Sequence, residues 1–326
     1  MVGCGRRRDL GGRGGAGRAY PLRERTGDAA PVPAPARVGA SHLRTSPAPR
    51  REHASAAGPR SSVSGLRLAS VVADGGHRTL EVTPEGAGWQ YVGFEVLRLP
   101  LGAHVERVYP GREACVVVLG GSCEIGSAAG RWRIGERPTP FDGPPAAAYL
   151  PPGLAFEITA RDDAEVAIGT APGEPGATAR ALAPEEARLE VRGSGAMERR
   201  IHHILMEDQP ASSLLVTEVL TPGGHWSSYP PHKHDRDDPP RESALEEIYY
   251  HRLRDGHGFA IQRVYTEDRS LDETVAVRDG DLVLVPRGYH MVSAAPGYDL
   301  YYLNVMAGPR REWQVTFDAD HDWLRR

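Results

Sequence analysis

The chain has 326 residues and a formal charge of −4, with 39 lysines and arginines against 43 aspartates and glutamates. Its length exceeds one ordinary domain and favours two, and the charge offers no electrostatic case for nucleic acid as a partner. No run of about 18 apolar residues is present to cross a membrane, the N-terminus lacks the apolar core of a secretory signal, and three cysteines without metal-type spacing (Cys4, Cys115, Cys123) fit a reducing cytoplasm.

Residues 1–62 are rich in Gly, Ala, Pro, Ser and Arg, with 12 arginines against the four acids Asp9, Glu24, Asp28 and Glu52. Such a composition cannot bury enough apolar surface to offset chain entropy, so a disordered extension is expected. Its surplus of eight positive charges leaves the body near −12, which weakens a nucleic-acid reading further. From Val63 onward, short runs rich in Val, Ile, Leu and Tyr are punctuated by Gly and Pro, an all-β pattern. Strands are expected over Tyr91–Leu99, Ala114–Leu119, Ala164–Ile168, Ser213–Leu220, Glu247–His251, Phe259–Tyr265, Asp281–Val285 and Leu300–Val305. Pro184–Leu189 is the one modest helix candidate, and the Gly-Ser-Gly at 193–195 reads as a linker.

Two short matches at nearly one offset suggest a duplication. Tyr149-Leu-Pro-Pro-Gly153 resembles Leu284-Val-Pro-Arg-Gly288, and Glu113-Ala-Cys-Val-Val-Val118 resembles Glu247-Ile-Tyr-Tyr-His-Arg252. Two tandem β-barrels follow, the first over 63–190 and the second over 191–326. The halves differ in chemistry: Ala155 repeats His290, no His-x-His precedes Glu113, and nine of 13 histidines lie beyond residue 200. The first barrel is therefore expected to lack metal ligands.

In the second half, Pro230-Pro231-His232-Lys233-His234-Asp235 holds the chain's single lysine between two histidines. On an extended strand His232 and His234 share a face, because side chains alternate with period two. The segment Asp279–His290 adds a third imidazole, and Glu242, Glu246 or Glu247 offers a carboxylate. Glu247 is preferred, since on a strand it shares a face with Tyr249 and His251 while Glu246 points the other way. Such a nitrogen and oxygen set suits a divalent ion such as Zn, Mn, Fe or Ni.

The pattern His232-x-His234, Glu247, Gly280-Asp281…Pro286-x-Gly288-x-His290 and Asn304 resembles the paired motifs of the cupin superfamily. The wider runs Thr221–Arg236, Leu245–Arg252, Gln262–Tyr265, Arg269–Glu273, Val285–His290 and Tyr298–Gly308 resemble the 5-deoxy-glucuronate isomerase family, bicupins of bacterial myo-inositol catabolism related to the uronate ketol isomerases. Gly88–Phe94, Arg112–Cys115 and Ser227–Tyr229 extend the likeness over about residues 66–324. The chain departs from the family pattern at Met291, where proline is usual.

The resemblance implies two cupin jelly-roll barrels and an aldose to ketose conversion of 5-deoxy-D-glucuronate to 5-dehydro-2-deoxy-D-gluconate. A proton beside an aldehyde is weakly acidic, so a divalent ion held by His232, His234, Glu247 and His290 would offset the negative charge developing on the substrate. Glu246, His251 and Tyr249 are the candidate proton-transfer groups, with Glu242 beside them. Lys233, Arg263 and Arg287 are the candidate partners of the sugar-acid carboxylate. The expected partner is thus a small molecule rather than nucleic acid or membrane, and exposed barrel edges allow a homo-oligomer. A uronate ketol isomerase of pectin breakdown, an iron-dependent cupin oxygenase and a non-catalytic sugar-binding bicupin are the competing functions.

Overall fold

In the computed structural model, which describes residues 65–70 and 77–325, the all-β pattern becomes four antiparallel sheets. The expected extension over 1–62 lies outside the described residues. In the first half, a six-stranded sheet runs in the order Arg180–Leu182, Ala146–Leu150, Arg112–Gly120, Ala164–Pro172, Gly93–Leu99, Arg78–Val82. A four-stranded sheet, His104–Arg107, Phe156–Ala160, Ser122–Ser127, Gly130–Gly135, faces it. In the second half, a seven-stranded sheet runs Arg67–Leu68, Leu282–Val285, Glu246–Leu253, Leu300–Ala307, Leu215–Thr221, Arg199–Leu205, Arg188–Arg192. Its companion is five-stranded: Asp272–Val277, Ala260–Tyr265, Tyr289–Ala294, Trp226–Lys233, Thr316–Phe317.

Alternation within the apolar runs explains how these sheets pack. In Arg112–Gly120, Ala114, Val116 and Val118 join a core shared with Ile125, Ile134 and Ile158 of the four-stranded sheet. Their neighbours Cys115, Val117 and Leu119 join a second core with Ile248, Tyr250, Leu303 and Val305 from the other half. On the same strand as Ile248, Tyr249 faces a third core with Val264, Val277 and Val292. Each large sheet therefore closes on its small sheet as a barrel and packs its outer face on the other large sheet. Strands buried on both faces read as continuous apolar runs, as here. At Gly169 the large sheets come so close that a Cβ would lie 2.8 Å from a methyl of Val305. Two tandem cupin jelly rolls result.

Polar contacts lock the barrels in a reciprocal way. Glu246 of the second barrel accepts the backbone N–H groups of Gln90, Tyr91 and Val92 at 2.8, 2.8 and 2.9 Å, just before Gly93–Leu99. Glu113 of the first accepts those of Ser212, Ser213 and Leu214 at 2.7, 2.6 and 2.6 Å, just before Leu215–Thr221. Between the two, Arg137 forms a bidentate pair with the buried Glu218, at 3.0 and 2.8 Å. His202 and Tyr301 also bond that carboxylate, so the buried charge is fully partnered.

Several sequence expectations need correction. Pro184–Glu186 is a single 3-10 turn, closed by the Glu186 carboxylate on the Ala183 N–H, and the chain then extends as Arg188–Arg192. The spacing of Leu189 and Val191 is that of a strand. A short helix, Pro84–Ala87, was unexpected; Thr83 caps its start and Gly88, in the left-handed region, ends it. Residues placed in the first barrel belong to the second barrel's sheet at both ends: Arg67–Leu68 pair with Leu282–Val283, and Arg188–Arg192 with Arg199–His203. The repeat is also offset by one from its sequence match. Cys115 pairs with Tyr149 as Ile248 pairs with Leu284, so Ala114 corresponds to Glu247 and Glu113 to Glu246.

Candidate metal centre

The strand Trp226–Lys233 cannot keep a regular ladder through Pro230 and Pro231, which lack N–H donors. Its register against Tyr289–Ala294 shifts between Ser227 and His232, and the shift sets His232 directly opposite His290. His234 follows at the strand's end. The ligand atoms of His232, His234 and His290 all lie within 4.8 Å of one another, and all three residues are buried. Glu247 reaches the same point from Glu246–Leu253, with Oε2 2.9 Å from His234 Nε2 and 3.1 Å from His290 Nε2.

The outer ring nitrogens are fixed by acceptors that can only take a proton. His234 Nδ1 donates to the Leu245 carbonyl and His290 Nδ1 to the Gly288 carbonyl, each at 3.1 Å. Both Nε2 lone pairs are thereby left facing the centre, and His290 Nε2 is buried without a hydrogen-bond partner. Burial opposes the charged form of Glu247, but the adjacent His290 and His234 imidazoles outweigh it and hold the carboxylate well below its usual range. Burial, with His290 and His234 beside it, holds His232 neutral. Three imidazoles and one ionised carboxylate, with an orphaned buried nitrogen among them, fit a divalent cation.

Lys233 does not face this centre. It is buried, and its ammonium bonds Asp235 at 2.8 Å and both oxygens of Glu242 at 3.0 Å. Glu242 also accepts the N–H groups of Asp235 and Arg236, while the far oxygen of Asp235 accepts the Gly288 N–H at 2.8 Å. The network ties the His232–His234 segment to the connection that carries His290. Gly288 has φ +89°, and a Cβ there would sit 2.5 Å from the Tyr265 carbonyl oxygen, so only glycine fits without strain.

The remaining candidates divide sharply. Glu246 is engaged with the first barrel and Glu242 with Lys233, so neither lines the centre. Arg263 points outward, paired bidentately with Asp272 at 2.9 Å, and Arg287 is exposed, reaching only Ser270. None of Lys233, Arg263 and Arg287 therefore faces the centre. Met291 lies on the outer face with Tyr265 and Tyr289, clear of the histidines. Tyr249 and His251 do face the interior: Tyr249 stacks on His251 with centroids 6.0 Å apart and lies 5.8 Å from His290. Burial lowers His251 to about 4, leaving it neutral, and burial together with the Glu247 charge keeps the Tyr249 proton on.

Sequence reasoning missed other polar groups on this wall. Tyr249 OH meets Ser228 Oγ at 2.9 Å, Tyr302 OH meets Ser227 Oγ at 2.6 Å, and both polar atoms of fully buried Gln262 lack partners. The available signal was Gln262 between Ala260 and Val264, a polar side chain at an inward strand position.

A model of the KduI/IolB family matches residues 66–324. The chain is 54% identical over 247 residues to a 5-deoxy-glucuronate isomerase of Geobacillus kaustophilus, covering 75% of this chain and 90% of that one. A 5-deoxy-glucuronate isomerase of Bacillus subtilis is 44% identical over the same length, covering 75% and 91%. Among solved structures, an IolB-like protein from Salmonella typhimurium superposes with TM-score 0.79 at 42% identity, covering 81% of this chain and 100% of that one. An oxalate decarboxylase of Bacillus subtilis, at TM-score 0.54 and 15% identity over 79% of this chain and 81% of that one, shares the fold.

Proposed function

Since this chain belongs to the KduI/IolB family, we propose that it is a 5-deoxy-glucuronate isomerase of inositol catabolism, acting in the cytoplasm on 5-deoxy-D-glucuronate to give 5-dehydro-2-deoxy-D-gluconate. The observation that carries this reading is the convergence of His232, His234, His290 and Glu247 on one buried point facing a polar barrel interior. Those four residues would hold a Zn, Mn or Fe ion, which when bound supplies Lewis-acid polarisation of the substrate carbonyl. Glu247 stays ionised, so the protein brings a negative charge to a divalent cation.

The protein's own groups then handle the proton. His251 is neutral near pH 7 and its Nε2 is buried without a partner, which leaves a lone pair free to take the proton from the carbon beside the aldehyde and return it to the former aldehyde carbon. Tyr249 keeps its proton and, through its bond with Ser228, is positioned to donate to the oxygen where charge develops. Glu246 takes no part. Pairing of copies in a homo-oligomer belongs to this reading too, because the edge strand Arg188–Arg192 presents Leu189 and Val191 to solvent.

The test is anaerobic incubation of purified protein with 5-deoxy-D-glucuronate, followed by NMR before and after metal stripping and restoration. Metal-dependent appearance of the ketone without oxygen is expected. Failure of folded, fully metallated protein, with turnover of the pectin-derived uronate instead, would move the assignment to the uronate ketol isomerases.

A further inference from the structure

A sugar acid brings a carboxylate into this barrel, and the three cations expected to receive it face elsewhere. We infer that Arg199 is the carboxylate anchor of the second barrel, a specificity residue that selects an acidic sugar over its neutral analogue. The inference rests on the sugar-acid reading above and extends it to a named residue.

Arg199 opens the strand Arg199–Leu205 and is 7% exposed. It shares a face with Ile201, a member of the second barrel's interior core. Among the described residues no carboxylate pairs with it. Its Nη1 donates to the carbonyls of Met197 at 3.0 Å and Tyr229 at 3.4 Å, and its Nε is buried with no partner. Across the ladder, beside the Arg200–Leu220 pair, the hydroxyl of Thr221 is also buried and unpartnered. Burial without a counter-ion weakens the charged form of Arg199. Its contact with the Tyr229 carbonyl, on the strand that also carries His232, places it on the metal-centre side of the interior. A buried cation is stable only when an anion or several acceptors satisfy it, and a planar guanidinium with free donors is matched by a carboxylate.

The Gly-Ser-Gly segment that reads as a linker acquires a purpose here. Gly193 has φ +83°, and a Cβ there would lie 2.2 Å from the Met197 carbonyl oxygen and 2.9 Å from Arg199 Nη1. The turn wraps the guanidinium, and its carbonyl fixes one edge so that the other edge remains for a ligand. Arg137, by contrast, is already neutralised by Glu218.

Metal-loaded wild type, Arg199→Met and Arg199→Lys are titrated calorimetrically with D-glucuronate and with D-glucuronamide, which differ only in the charged end. Wild type is expected to prefer the acid by about 30-fold or more, Arg199→Met to bind both equally and weakly, and Arg199→Lys to keep part of the preference. Metal content, measured by mass spectrometry, is expected to be the same in all three. On 5-deoxy-D-glucuronate, Arg199→Met should lose about 100-fold in kcat/KM. An undiminished preference for the acid in Arg199→Met, or no preference in wild type, overturns the anchor. Should Arg199→Met fail to fold, the wild-type comparison and Arg199→Lys still decide. A preference that depends on Arg199 without turnover of the 5-deoxy sugar would leave the anchor standing and remove the isomerase reading instead.

Discussion

Replacing Glu246 by glutamine separates a structural role from a catalytic one, because the two predict opposite results. Its carboxylate accepts three backbone N–H groups of the other barrel at 2.8 to 2.9 Å, two of them on Oε2. An amide retains one acceptor oxygen and turns an NH2 toward the other donors, so one or two charge-assisted bonds are lost and a buried donor such as Val92 N–H is orphaned. At roughly 1.5–3 kcal/mol for each bond to a charged group, the expected cost is about 2–4 kcal/mol. For a body of this size that lowers Tm by roughly 5–10 °C. Calorimetry of the metal-loaded variant reads the stability, and steady-state kinetics at a temperature well below the transition reads the chemistry. Near-wild-type kcat with lowered Tm is expected. A fall of about 1,000-fold in kcat at unchanged Tm would refute the geometry and return Glu246 to the proton-transfer step.

Lys233→Met strands Asp235 and Glu242 together in a buried site, and should cost about 3–5 kcal/mol of stability and 10- to 100-fold in metal affinity by chelator competition. Wild-type metal affinity with a raised KM for the acid alone would restore Lys233 as a substrate contact. Gly288→Ala forces a side chain into the left-handed region against the Tyr265 carbonyl; a loss of about 2–4 kcal/mol in urea unfolding, with weakened metal binding, is expected. His251, held near 4 by burial, takes its proton first in the unfolded chain. Its contribution is therefore complete above about pH 6.5 and declines as pH falls toward 4, by roughly 3 kcal/mol. His251→Gln should flatten the stability curve over that window, and an unchanged curve would show that His251 is not held neutral.

Local spacing anticipates which side chains converge. His232-x-His234 needs only the period of a strand to put two imidazoles on one face, and Glu247 was distinguished from Glu246 by the same alternation. Long-range pairing was not legible. The partner of Lys233 is Glu242, across a loop, and the partners of Glu246 lie some 155 residues away in the first barrel. An arginine or lysine in a string of letters looks free until its counter-ion is placed. Arg263 has one on the neighbouring strand, whereas Arg199 has none among the described residues. Tyr302 looked like an ordinary strand residue because inward and outward faces of a doubly buried sheet are equally apolar in pattern.

The strand registers also explain why, among the described residues, the histidine cluster forms in one barrel and not in the other. Ser127 pairs with Phe156 as Val264 pairs with His290, and Ile125 pairs with Ile158 as Gln262 pairs with Val292. Phe156, rather than Ala155, therefore occupies the position of His290, and Ile125 that of Gln262. Arg107, opposite Phe156, stands where His232 stands. It is held by Glu95 at 2.7 Å, and Tyr109 bonds the same carboxylate. Burial resists ionisation of Glu95, but Arg107 and Tyr109 hold it ionised, so the pair is self-contained and needs no cation. Ala114 completes the change by removing the carboxylate at the position of Glu247. The first barrel has thus filled its centre with an aromatic ring and an internal ion pair, while its Glu113 still fixes the loop entering the strand Leu215–Thr221 of the second barrel. On these contacts the first barrel holds the second barrel's wall in place. Separation of the two halves should therefore cost the metal centre its geometry even though every ligand lies in the second.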